Sequence, residues 1–108
     1  MAETAAPKKR RYPRVSPPKA IQVAWQASGR RGLSRISIFG LGGLFLHEAD
    51  PPLSGAIIQL FFEVPGGQVR ARGTVRSVEP GRGMGVEFTQ MRPEERARLA
   101  SMIKALLS

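Results

Sequence analysis

Apolar and polar residues alternate along most of this chain. Ile21, Val23 and Trp25 interleave with Gln22, Ala24 and Gln26, the signature of a half-buried strand whose successive side chains point to opposite faces. Ser28-Gly29-Arg30-Arg31-Gly32 has turn composition, and Ser34 to Phe39 predicts a second strand with Ile36 and Ile38 in phase. Gly40-Leu41-Gly42-Gly43 predicts a bend into a short strand, Leu44-Phe45-Leu46, and Asp50-Pro51-Pro52-Leu53-Ser54-Gly55 a loop. Ala56 to Val64 is almost continuously apolar, which predicts a strand covered on both faces. After a hairpin turn at Pro65-Gly66-Gly67, alternation resumes from Gln68 to Val78. Val69, Ala71, Gly73 and Val75 should point inward, and Arg70, Arg72, Thr74 and Arg76 outward. A turn at Glu79-Pro80-Gly81-Arg82-Gly83 leads to a last strand with Met84, Val86 and Phe88 on one face.

The period changes at Pro93, a residue suited to a first helical turn, and Glu94 and Glu95 complement that turn's positive pole. Leu99, Met102, Ile103 and Leu106 then form one apolar stripe over a helix spanning about 93–107. A helix this short is marginal alone in water, so the stripe must dock on the β body. Arg92 is a poor cap, and Thr89 is a better polar candidate slightly upstream. Six antiparallel strands with tight glycine turns and one terminal helix predict a mainly β fold over residues 20–108. The expected architecture is a six-stranded antiparallel β-barrel with a C-terminal α-helix over one opening. Residues 1–7 carry nothing that could build a core, and residues 8–19 are basic and proline-rich. Residues 1–19 are therefore expected to form a disordered N-terminal arm.

Length and composition narrow the picture. At 108 residues the chain has room for one modest core, and 42% apolar with 23% charged residues is ordinary for a globular domain. Without cysteine there are no disulfides or thiolate sites, and the single histidine, His47, has no second imidazole to join it. No apolar run approaches the length of a membrane span, and no apolar stretch follows the N-terminal charges as in a secretory signal, so a cytoplasmic location is expected. The net charge of +9 is uneven: six basic and one acidic residue fall in the first nineteen, eleven basic and seven acidic in the rest. Such a tail attracts polyanions of any kind, and charge alone does not choose among them.

Candidate chemistry concentrates in that tail. Arg10 and Arg14 form an R-x-x-x-R pair in Arg10-Arg11-Tyr12-Pro13-Arg14, and Pro13, Pro17 and Pro18 keep the segment from being helical. Each guanidinium can hydrogen-bond in parallel to the O6/N7 edge of a guanine or bind a phosphate. A solvated basic tail is the plainer alternative. Gly40, Gly42 and Gly43 do not make a phosphate loop, because no Lys-Ser/Thr follows and a strand comes next. They are expected to bend the chain and to admit a ligand or a neighbouring backbone. Trp25 reads as core or rim packing, Arg70, Arg72 and Arg76 as a solvated face or an extension of the basic surface, and His47 as loop polarity. One histidine, no cysteine and scattered carboxylates assemble no base, nucleophile and orienting group, so no enzyme is expected.

Taken together, three stretches resemble the PilZ domain, the bacterial receptor module for cyclic di-GMP. Arg10-Arg11-Tyr12-Pro13-Arg14-Val15 looks like the family's R-x-x-x-R signature. Gly42-Gly43-Leu44-Phe45-Leu46 is similar to the strand that leaves its second signature. Gly83-Met84-Gly85-Val86-Glu87-Phe88, followed by Pro93-Glu94-Glu95-Arg96, is similar to its last strand and helix. The resemblance runs from Lys9 to the C-terminus. It implies an intercalated cyclic di-GMP dimer, or sometimes a monomer, on the outside of the barrel. Arg10 and Arg14 would clasp it from an arm that orders on binding, with Arg11 beside them. No other cofactor is implied.

The second signature, D/N-x-S-x-x-G, is incomplete. Aligning Ser37 with its serine and Gly40 with its glycine puts Arg35 at the acceptor position. Aligning Gly43 with the glycine puts Gly40 at the serine and Ile38 at the acceptor. Arginine has only donors and isoleucine has neither, and one lost charge-assisted hydrogen bond is worth about 1.5–3 kcal/mol. Arg35, Ser37, Gly40 and Gly43 nevertheless complete the expected ligand set, Arg35 by facing a phosphate.

Three readings follow. The first is a stand-alone cyclic di-GMP receptor that relays its signal through a surface to a protein partner. The second is an adaptor that has lost the ligand and works by protein contacts, for example in motility or cell-surface machinery. The third is a basic nucleic-acid-binding barrel, which lacks the aromatic platform such barrels use.

Overall fold

The computed structural model describes residues 12–17 and 20–108. Among these residues six strands precede one helix: β1 (Gln22–Ala27), β2 (Arg30–Phe39), β3 (Gly43–His47), β4 (Ile57–Val64), β5 (Gly67–Glu79), β6 (Gly83–Met91) and α1 (Pro93–Leu107). The strands close into an antiparallel barrel in the order β1-β2-β3-β6-β5-β4, with β4 returning to pair with β1. This is the mainly β barrel with a C-terminal helix that the alternation predicts.

The barrel interior collects one side chain from every second position. Val23, Leu46, Ile58, Val69, Val75 and Met84 are wholly buried, with Phe39 and Phe62 filling the largest volumes. On β5, Val69, Ala71, Gly73 and Val75 are buried as expected. Trp25 is core: its indole N–H donates to Ser34 Oγ (2.9 Å), whose hydroxyl donates to Glu48 Oε1 (2.9 Å). This chain of bonds satisfies the buried polar atoms of the indole and of Ser34.

Three expectations are corrected. Although β4 is nearly continuous in apolarity, it is not covered on both faces: Ile57 stays 63% exposed and Phe61 37%. A small closed barrel has a single interior, so half of any strand must face out. Ile38 is not in phase with Ile36, because the β2–β3 register shifts between them, pairing Ile36 with Leu46 and Ile38 with Phe45. Ser37 is the extra residue of a β-bulge, which turns Ile38 outward and sends Phe39 into the core. The first turn is also tighter than expected. Only Ser28 and Gly29 form it, both at positive φ (51° and 75°), so Arg30–Gly32 belong to β2.

Helix α1 docks Leu99, Met102 and Ile103 on the barrel against β4 and β5. Arg92 sits at its N-cap without a side-chain cap bond, while Thr89 lies in β6 and donates to Arg72 O at 3.1 Å. Glu95, in the first turn, serves another contact: its buried carboxylate accepts the backbone N–H of Arg70. Arg98 Nη1 donates to Gln68 O at 2.7 Å, so polar contacts on two successive turns tie the helix to β5. Among the described residues no helix is long and apolar enough to cross a membrane.

Candidate ligand groove

At the β2–β3 end of the barrel the chain from Tyr12 to Val15 runs beside the end of β2, where Val15 forms an antiparallel bridge with Phe39. Val15 is the anchor. Its N–H donates to Phe39 O (2.7 Å), its carbonyl accepts from Phe39 N (2.9 Å), and its side chain is buried in the core. Part of the expected arm is thus seated on the barrel, because one apolar residue within a basic, proline-rich stretch has a hole to fill.

The glycine-dense turn between β2 and β3 is what lets this segment approach. A Cβ on Gly40 would stand 2.4 Å from Pro13 O, and one on Gly42 3.0 Å from the Tyr12 ring. Neither glycine needs a positive φ, so both serve close packing rather than an unusual backbone conformation. Gly43 is pressed still harder on its other side, where a Cβ would meet Val86 O of β6 at 2.1 Å. The turn itself is held by Gly40 N–H donating to Gly43 O (2.9 Å) and Phe88 N–H donating to Gly42 O (2.9 Å).

These segments border an open groove of about 1040 Å³. Arg14, Gly40 and Gly43 line it together, on the arm, the turn and the start of β3. Its floor is a cross-strand row: Ile38 pairs with Phe45, Phe45 with Gly85 and Gly85 with Ser77. Phe45 is half-buried and presents a ring beside glycine backbone. Arg35 and Ser37 do not line this groove. Arg35 projects from β2 one position before Ile36 and is exposed, and Ser37 is the bulge residue, half-buried. Arg10 and Arg11 lie outside the described residues.

Residues that the sequence reading gave no ligand role complete the groove. Arg96, in the first turns of α1, donates from Nη1 to Leu41 O (3.3 Å), and its guanidinium stands 5.3 Å from the Tyr12 ring centroid. One arginine therefore clips the helix to both the turn and the arm. The signal was available: Arg96 sits three residues before Leu99, on the flank of the apolar stripe. Arg76 and Glu87 line the groove as an exposed ion pair (2.6 Å), and Glu79 joins them. Of the outward arginines of β5, only Arg76 reaches this groove. The result is a concave site with three guanidiniums, two carboxylates, three aromatic rings and glycine backbone, suited to a planar, anionic, hydrogen-bonding ligand.

Comparison with known proteins identifies the family and the fold. The PilZ domain family matches residues 8–105. Among solved structures, the PilZ domain of Escherichia coli YcgR with c-di-GMP superposes with a TM-score of 0.76 at 17% identity, covering 93% of this chain and 92% of that one. The Bacillus subtilis inhibitor of motility (MotI/DgrA) gives 0.77 at 20% identity, covering 93% of this chain but 52% of that protein, so this chain spans about half its length. The K. pneumonia MrkH–c-di-GMP complex gives 0.64 at 17% identity, covering 93% and 53%. At these identities the likeness shows a shared fold. Among curated proteins, none matches the sequence.

Proposed function

The chain belongs to the PilZ domain family, a family of cyclic di-GMP receptors, and from that premise we propose that it binds cyclic di-GMP in the Arg14 groove and relays occupancy to a protein partner. The observation that carries this reading is the seat of Arg14. The Val15–Phe39 bridge and the Gly40 contact with Pro13 hold its backbone at the groove edge, while its side chain remains exposed. A guanidinium so placed can pair with a guanine edge or a phosphate, and Arg10 would reach the same ligand from four residues upstream. Tyr12 and Phe45 offer apolar surfaces to purine rings.

The missing Asp or Asn of the second signature has a substitute within the groove. Glu87, across from Gly43 in the β3–β6 register, carries a carboxylate that can accept the N–H donors of a guanine. Arg76 holds that carboxylate in the free protein, so ligand must compete with an exposed ion pair worth about 0–1 kcal/mol, a small cost. One observation favours the ligand-free adaptor instead: Arg35 and Ser37, two of the expected contacts, stand away from the groove.

Calorimetric titration with cyclic di-GMP decides between them. The receptor reading expects saturable binding, weakened roughly tenfold or more by Arg14→Ala or Arg10→Ala, in line with about 1–3 kcal/mol per bidentate guanine contact. Glu87→Gln should weaken binding less than either arginine change. Absence of binding at high micromolar ligand overturns the receptor reading and leaves the adaptor.

A further inference from the structure

A second groove, of about 850 Å³, crosses the outer face of β1, β2, β4 and β5 and is built very differently. The strand registers place two parallel rows of side chains on this face. In the first row Leu33 pairs with Ala24, Ala24 with Phe61 and Phe61 with Arg70. In the second, Arg31 pairs with Gln26, Gln26 with Gln59 and Gln59 with Arg72. The first row is apolar and ends in a guanidinium; the second is polar and has a guanidinium at each end.

Several features distinguish this face from an ordinary solvated one. Leu33 is 62% exposed and Phe61 37%, and they flank Ala24, whose small side chain leaves a trough between them. Arg70 stands over the Phe61 ring, 5.8 Å from its centroid. Arg31, Arg70, Arg72 and Arg92 all line the groove, and no Asp or Glu is among the described residues that do. None of the four is ion-paired within the described chain, whereas Arg30, Arg76 and Arg82 each have a carboxylate partner. Four like charges around exposed apolar groups suit an anionic partner with apolar side chains.

We propose that this face is a docking surface for a partner-protein segment that carries apolar side chains on one side and carboxylates on the other. The apolar side would occupy the Leu33–Ala24–Phe61 row, and the carboxylates would meet Arg31, Arg72 and Arg92. Because the barrel is closed, no strand edge is free to pair with the segment's backbone, so recognition must come from these side chains. A bilayer is too flat to enter a trough. For nucleic acid, Arg70 already occupies a face of Phe61, the one aromatic ring exposed on this surface. Among the described residues only Gln90 and Met91, where β6 meets α1, line both grooves, so docking here does not require nucleotide in the first.

The test uses the full chain and a soluble fluorescein-labelled peptide with leucines along one side and glutamates along the other. Comparison probes are its lysine counterpart, polyglutamate, a single-stranded oligodeoxynucleotide and phosphatidylglycerol vesicles. The proposal expects saturable binding of the leucine–glutamate peptide alone, with amide shifts in a nitrogen-15 spectrum centred on Ala24, Leu33, Phe61 and Arg72. Arg72→Glu and Leu33→Ser, both on exposed side chains, should each weaken the peptide; the charge reversal should do so by roughly tenfold or more. Both variants should keep the wild-type spectrum elsewhere and the same response to cyclic di-GMP. Failure of the peptide to bind, shifts confined to other surfaces, or tighter binding of the lysine peptide, the oligonucleotide or the vesicles would overturn it.

Discussion

The two grooves sit on one barrel and share Gln90 and Met91, yet they are made by opposite means. The first is a product of backbone approach. The arm, the β2–β3 turn and β6 press together where glycines leave room, and the charges that line it are of both signs. The second is chiefly a product of outward side chains, laid in rows by register across the strands. The difference teaches where tolerance to mutation should lie. Added atoms at the glycines of the first groove disturb the chain, whereas changes to the outward row residues of the second should alter only what the surface attracts.

The sharpest way to break this contrast is Gly43→Ala. Its Cβ would meet a backbone carbonyl, Val86 O, that cannot turn aside. Overpacking of this kind costs about 1–3 kcal/mol, which should lower Tm by on the order of 10 °C in a domain of this size. Thermal unfolding followed by circular dichroism checks it, and an unchanged Tm would mean that β3 and β6 can move apart freely. Gly40→Ala should act more locally. Its Cβ collides with Pro13 O of the arm, not with a barrel strand, so the expected result is loss of cyclic di-GMP affinity with a Tm drop smaller than that of Gly43→Ala. Equal losses of stability in the two variants would show that the arm is part of the folding unit. Leu33→Ser in the second groove should have the smallest effect, a stability change within about 0.5 kcal/mol. A substantial drop in its urea midpoint would mean that this row carries the fold and not only a surface.

Much of the fold was legible because alternation is local. Val69, Ala71, Gly73 and Val75 point inward for the same reason that Arg70 and Arg72 point outward, and that reason is visible in the residue order. The stripe Leu99, Met102, Ile103 showed the helix's docking face equally well. What misled were places where a neighbouring strand overrides the local pattern. Ile57 and Phe61 read as buried by composition, but a closed barrel has one interior. Ile38 read as an inward residue until the bulge at Ser37 reversed it. In the candidate groove, Arg14, Gly40 and Gly43 were legible as chemistry and do come together. Arg35 and Ser37 were placed there by motif alignment alone, and Arg96 was passed over because its sequence neighbours describe a helix terminus.

The sequence by itself determined the strands, their inward faces, the terminal helix and the basic character of the segment around Arg14, since each depends on residues close together in the chain. Only the tertiary structure decided that Val15 anchors the arm through Phe39, that Arg96 joins Tyr12 to the β2–β3 turn, and that Leu33 and Phe61 become neighbours across Ala24. The physical reason is that barrel closure and register bring together residues tens of positions apart. A site built from such contacts has no period in the sequence to announce it.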